Sequence, residues 1–132
     1  MASIFSRIIS GEIPSHRIAE DENYFAFLDF MPLAPGHILV VPKKEINYIF
    51  DIDDNLLSGI LPFAKKIASA MEKVIPCERI GISVIGLEVP HAHIHLIPLR
   101  TMDDINFSRP KLKMTHEELA AIAEKIRSNL FI

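Results

Sequence analysis

The chain has 132 residues, 49% of them hydrophobic, and 14 Lys or Arg against 17 Asp or Glu give a formal net charge of −3. That length and apolar content suit one packed domain and exclude a disordered chain, and the charge excludes the broad basic field of a nucleic-acid-binding surface. The single cysteine, Cys77, allows no intramolecular disulfide; the first residues carry no secretory pattern, and no apolar run is long enough to span a bilayer. The expectation is a cytoplasmic protein with neither membrane nor nucleic acid among its partners. A positive mean hydropathy hints at a buried subunit interface.

Ile4, Phe5, Ile8 and Ile9 form a short helical stripe, ended by Gly11 and Pro14. His16 to Glu20 and Tyr24 to Asp29 read as two strands around an Asp21-Glu22-Asn23 turn. A turn-rich loop, Met31 to Gly36, leads into His37 to Pro42, nearly all apolar and so expected near the centre of a sheet. Asp53 or Asp54 caps a long helix. Its stripe includes Leu56, Leu57, Ile60, Leu61, Ala64, Ile67, Ala68, Met71, Val74 and Ile75. Pro62 should kink that helix or split off its first turns, and Pro76 stops it. Arg79 to Ile85 reads as a strand. Gly86-Leu87-Glu88-Val89-Pro90 is a short loop. Leu99 to Met114 has no clear period, and its four basic residues, Arg100, Arg109, Lys111 and Lys113, read as a solvated set. Thr115 opens a last helix, with Glu118 completing a capping box. Close strand pairs and two long helical stripes give an α+β domain with an antiparallel five-stranded sheet, a long helix and a C-terminal helix.

The segment His91-Ala92-His93-Ile94-His95-Leu96-Ile97-Pro98 carries the chemistry. It holds three of the chain's six histidines, alternating with apolar residues. On a strand of period two the imidazoles share one face, and Ala92, Ile94 and Leu96 share the other. Three such rings read as buttressing core histidines, as a metal site, or as nucleophilic catalysis. No cysteine pair stands nearby to favour metal. Phosphate-loop and dinucleotide fingerprints are absent. Phosphate contacts would therefore come from imidazoles, backbone amides or the basic loop.

Ile4 to Pro14, then Ala26-Phe27-Leu28-Asp29, then Pro35 to Lys44, then the histidine run, resemble in order the histidine triad (HIT) family, in particular its Hint branch. The resemblance runs from about residue 4 to about residue 98. It implies a single HIT domain over 1–132, with 99–132 a C-terminal extension of loop plus helix. It also implies hydrolysis or transfer at the α-phosphate of a nucleotide, with a purine nucleotide or nucleoside phosphoramidate as partner. No cofactor and no metal are implied. His93 would attack phosphorus and form a nucleotidyl-histidine. His95 would contact a phosphate oxygen or the leaving group, His91 would buttress the strand, and the upstream His37 would orient the triad. Asp29 matches a ribose-binding acid. Phe5, Ile8, Phe27, Leu28 and Phe30 match the region lining a base pocket.

The resemblance further implies a homodimer paired across the long helix and the Arg79 to Ile85 strand. The chain departs from the family before the triad. The usual Asn is absent, and Leu87 and Glu88 stand where Gln and Ser or Thr are usual. Glu88 is thereby placed on the leaving-group side. The alternative to catalysis is a nucleotide-binding or metal-binding protein without turnover.

Overall fold

The computed structural model describes residues 2–131. A short helix α1 (Ile4–Ile9) precedes strands β1 (Arg17–Glu20), β2 (Tyr24–Leu28) and β3 (Ile38–Pro42). Helix α2 (Asp54–Val74), strands β4 (Arg79–Ser83) and β5 (Ile94–Leu99) and helix α3 (His116–Arg127) follow. The strands form one antiparallel sheet in the order β1-β2-β3-β5-β4. This is the expected α+β architecture, and the apolar strand β3 is central. Among the described residues no helix is long and apolar enough to cross a membrane.

Parity divides the sheet. Tyr24, Ala26, Leu28, Ile38, Val40, Ile94 and Leu96 point to one face and pack under α2 and α3. Phe25, Phe27, Leu39 and Val41 point to the other, where Phe5 and Ile8 of α1 cover them. His95 pairs with Leu39 in the ladder and lies on this second side. Helix α3 contributes Leu119, Ala123 and Ile126 to the main core, so the segment after β5 is integral to the packing.

Local chemistry explains the boundaries. Asp53 caps α2 by accepting from the Leu56 amide at 2.9 Å. Thr115 and Glu118 form the expected capping box. The helix α2 is not split at Pro62. It runs unbroken for 21 residues, because Pro62 lies on the exposed side, where the carbonyl that loses its partner faces water. Two strands are shorter than expected. β4 ends at Ser83, leaving Val84 and Ile85 outside the ladder, and β5 begins only at Ile94. The amide of Ala92 instead donates to the Ile46 carbonyl at 2.7 Å, and that of His91 to Val89 at 2.8 Å. Gly36 takes a φ of 91°, in the region that favours glycine, and so turns the loop to bring His37 into β3.

Candidate active site

Four imidazoles, those of His37, His91, His93 and His95, lie buried together beside the face that α1 covers. Each has a hydrogen-bond partner that settles where its proton sits.

His93 Nδ1 is 2.8 Å from the His91 carbonyl. A carbonyl only accepts, so Nδ1 carries the proton and a neutral ring keeps its lone pair on Nε2. Burial, the largest influence, lowers the His93 pKa below the ordinary imidazole value. The ring is therefore neutral at physiological pH, with a nucleophilic nitrogen already bare.

The second pair reads the same way. The Leu33 amide donates to His37 Nδ1 at 3.0 Å. Burial takes the His37 pKa down to about 3, so the ring is neutral and its proton is on Nε2. That proton is donated to His95 Nδ1 at 2.9 Å. Burial also lowers His95, to about 4, which leaves the His95 proton on Nε2. A single backbone amide thus fixes two tautomers in series. Among the described residues no buried side-chain nitrogen or oxygen lacks a partner. The two Nε2 atoms of His93 and His95 have no partner among the described residues, so they open onto the adjoining cavity. One is a lone pair and the other a donor, on rings whose centroids are 4.9 Å apart.

His91 faces away from this cavity. Its Nε2 donates to the Pro42 carbonyl at 2.8 Å and its Nδ1 lies 2.8 Å from the Ser3 hydroxyl. Ser3 and Ser6 are held in turn by Glu45, which accepts from the Ser3 amide and the Ser6 hydroxyl at 2.6 Å each. Those bonds keep the Glu45 carboxyl down at about 2. His91 is thus a clamp between α1 and the end of β3. The Phe5 ring stands edge-on to both His91 and His93.

The cavity in front of His93 and His95 is about 320 Å³, at the small end for ligand pockets. Phe5, Ile8, Phe27 and Phe30 line its apolar part, and Asp29, Glu88 and Lys111 its rim. Asp29 Oδ1 accepts from the Met31 amide at 2.9 Å. Its Oδ2 is 3.7 Å from His37 Nε2, beyond bonding range and beside a neutral ring, and is left for a ligand. Burial raises the Asp29 pKa.

One expected residue is misplaced. Leu28 is in the main core under α2, on the opposite face from Phe27, so it cannot line this pocket. Strand parity separates neighbours, and Phe27 and Asp29 take the pocket side together. Two further pocket residues lie in the aperiodic segment after β5: Phe107, which was missed, and Lys111, read only as one of a solvated basic set. The Phe107 ring packs edge-on to His95 at 4.8 Å between centroids. Lys111 donates to the Phe107 carbonyl at 3.2 Å and lines the pocket, so it is not a purely solvated loop residue. No periodic signal marks either one.

Asp29, His37 and His95 also place one oxygen and two nitrogens within 4.8 Å of one another, a spacing that suits a cation. The hydrogen bonds oppose it. The Leu33 amide occupies the Nδ1 lone pair of His37, so a metal on Nε2 would have to leave that ring as imidazolate. A larger groove of about 580 Å³, lined by Tyr48, Phe50, Leu61, Ile82, Val84 and Leu87 among others, meets the histidine pocket at His93. It is almost wholly apolar. The convergent polar groups lie in the smaller cavity, which marks that one as the chemical site.

A small antiparallel α+β domain with a bare imidazole nitrogen and an imidazole donor side by side defines a histidine-triad protein. The HIT domain family matches residues 10–102, and the chain belongs to that family. It is 34% identical over 135 residues to a HIT-like protein of Borreliella burgdorferi, covering 96% of this chain and 97% of that one. It is 32% identical over 133 residues to the adenosine 5'-monophosphoramidase of Schizosaccharomyces pombe, covering 98% and 99%. Among solved structures, a Hit-like protein of Bartonella henselae, crystallised with an unknown ligand, superposes with a TM-score of 0.83 at 34% identity, over 97% of this chain and 96% of that one. A zinc-bound histidine triad protein of Mycobacterium smegmatis superposes equally well, at 0.83, with 27% identity over 98% and 93%.

Proposed function

We propose that the protein is a nucleotide hydrolase or transferase that acts at the α-phosphate of a nucleoside phosphoramidate through a nucleotidyl-histidine. The observation that carries this reading is the bare Nε2 of His93, held in the attacking tautomer by the His91 carbonyl. The phosphoramidase of Schizosaccharomyces pombe, alike over nearly its whole length, supports the substrate class.

In the first step the His93 Nε2 lone pair forms a bond to phosphorus. The phosphorus–nitrogen bond breaks, and the departing amine takes its electron pair and a proton from solvent. In the second step water attacks phosphorus and expels Nε2, releasing the nucleoside monophosphate and a proton. The covalent stage divides one hard displacement into two easier ones. Positive charge on the phosphorylated ring is stabilised by the Nδ1–H bond to the His91 carbonyl. His95 acts as a hydrogen-bond donor to a phosphate oxygen. It is a poor acid for the leaving group, because His37 already fills its Nδ1 and loss of the Nε2 proton would leave an anion.

Asp29 Oδ2 accepts from the ribose hydroxyls, and Phe5, Ile8, Phe27 and Phe30 enclose the base. Glu88, on the loop before the triad and at the pocket rim, attracts a protonated amine and repels an anionic leaving group. The protein works as a homodimer. β4 is an edge strand with one unpaired side, and Leu61, Ile82, Val84 and Leu87 beside it are exposed, a combination that invites a second copy.

The test is to incubate the protein with adenosine 5'-phosphoramidate and look for AMP release and a mass increase of one adenylyl group on the His93 peptide. No adduct and no AMP would overturn the enzyme reading. Activity lost with chelator and restored by zinc would instead favour the Asp29, His37 and His95 cluster as a metal centre.

A further inference from the structure

The pocket has an unbalanced charge for the ligand it is proposed to hold. Its two pocket-facing imidazoles are neutral, for the reasons of burial given above. Its rim carries two carboxylates, Asp29 and Glu88. A phosphate bound in the same cavity meets the negative charge of both, which is costly in a partly buried site. One Lys or Arg lines this cavity, Lys111.

The arrangement around Lys111 is specific. The Leu112 amide donates to the Pro32 carbonyl at 2.8 Å, which fastens the segment to the loop between β2 and β3, the loop that also supplies the Leu33 amide to His37. The ammonium donates to the Phe107 carbonyl at 3.2 Å and lies 5.2 Å from the centre of the Phe107 ring. That ring rests on His95. The positive field of Lys111 reaches Asp29, His37 and His95. Its neighbour Arg109 is neutralised by Asp103 and Asp104. Lys111 is in no ion pair among the described residues, and an ammonium has three donors, of which the Phe107 carbonyl takes one.

We propose that Lys111 is the phosphate-binding cation of this site: it bonds a non-bridging phosphate oxygen on the His95 side, and so makes the segment after β5 part of the active site. This rests on the nucleotide reading and assigns that site its anion recognition. A lysine–phosphate contact is a charge-assisted hydrogen bond. Losing it should weaken binding about 10- to 100-fold.

The experiment compares AMP with adenosine, which differ by the phosphate alone, using calorimetric titration of the full chain. Wild type should bind AMP more tightly than adenosine, with an AMP affinity that falls as salt rises. Lys111→Gln can still donate to the Phe107 carbonyl but has no charge. It should lose AMP affinity by the stated factor, leave adenosine affinity unchanged and flatten the salt dependence. Lys111→Arg should restore most of the AMP preference. Equal weakening of both ligands in Lys111→Gln would show that the side chain only supports the loop. An unchanged AMP-to-adenosine ratio would remove the phosphate contact. Either result overturns the proposal while leaving the nucleotide reading standing. A wild type that bound neither ligand would overturn that reading, and this inference with it.

Discussion

The two faces of the sheet are made by the same strands, yet they are built on opposite rules. Toward α2 and α3 every inward side chain on β3 and β5 is aliphatic and buried. On the other side aliphatic and aromatic residues are joined by imidazoles, and each buried imidazole is bonded to a carbonyl, an amide or another imidazole. The first face needs only volume and apolarity. The second needs direction, since a ring turned by one flip would present the wrong nitrogen. Stability and chemistry are thus separated by a single residue along the chain.

Substitutions one residue apart should break that comparison most sharply. His93→Ala should reduce turnover of adenosine 5'-phosphoramidate by about 10³-fold or more, while chemical denaturation still shows a cooperative transition close to that of wild type. Leu96→Ala, on the aliphatic face, should instead cost about 2–5 kcal/mol of stability, with the kcat of the remaining folded protein little changed. If the two effects were exchanged, the division between the faces would be wrong. His95→Ala comes next. Losing a transition-state donor should lower kcat by about 10²-fold, with the mass-labelled His93 peptide still detectable after long incubation.

The pH dependence tests whether the imidazole face is neutral. His37 and His95 have folded pKa values near 3 and 4, below the ordinary 6.5. Between those limits the unfolded chain binds more protons than the folded one. Stability should therefore rise with pH from about 4 to about 6.5 and level off above it. Denaturant midpoints measured across that window check it, and replacing His37 should flatten the slope. The nucleophile follows the same sign. With the His93 pKa lowered, the acid limb of kcat/KM should fall below the pH expected for a free imidazole. The smallest expected effect is at the rim. Glu88→Ser should shift relative hydrolysis a few-fold from phosphoramidates toward dinucleoside polyphosphates, the scale of one screened charge. Equal changes on both substrates would remove Glu88 from the leaving-group side.

Much of this was legible in the residues. Period-two alternation placed His95 opposite Ile94 and Leu96, though His91 and His93 precede the strand, and the apolar run Ile38 to Val41 marked the central strand. The cap at Thr115, and that at Asp53 as one of two candidates with Asp54, were read from side-chain chemistry alone. Leu28 was misread because Tyr24 to Leu28 is apolar at every position. The parity of Asp29 would have separated it from Phe27, had the carboxylate been used as the pointer to the polar side. The start of β5 was set by tertiary bonds to Ile46 and Pro42 that no local pattern encodes. Phe107 and Lys111 lie in a segment shaped by turns and ion pairs, where side-chain direction has no period. Only the folded packing of Phe107 on His95, with Lys111 bonded to its carbonyl, identifies them.

The clamp that joins Ser3 to His91 has a practical consequence for anyone handling the protein. Ser3 is at once the cap of α1, a partner of the triad's first histidine and, through Glu45, an anchor to the segment after β3. Ala2, just before it, is already exposed. An affinity tag joined ahead of residue 2 should leave the enzyme assayable. A truncation that trims even three residues from that end removes the cap of α1, the helix whose Phe5 and Ile8 line the pocket, together with the Ser3 partner of His91, and should be judged by the behaviour of the histidines rather than by solubility.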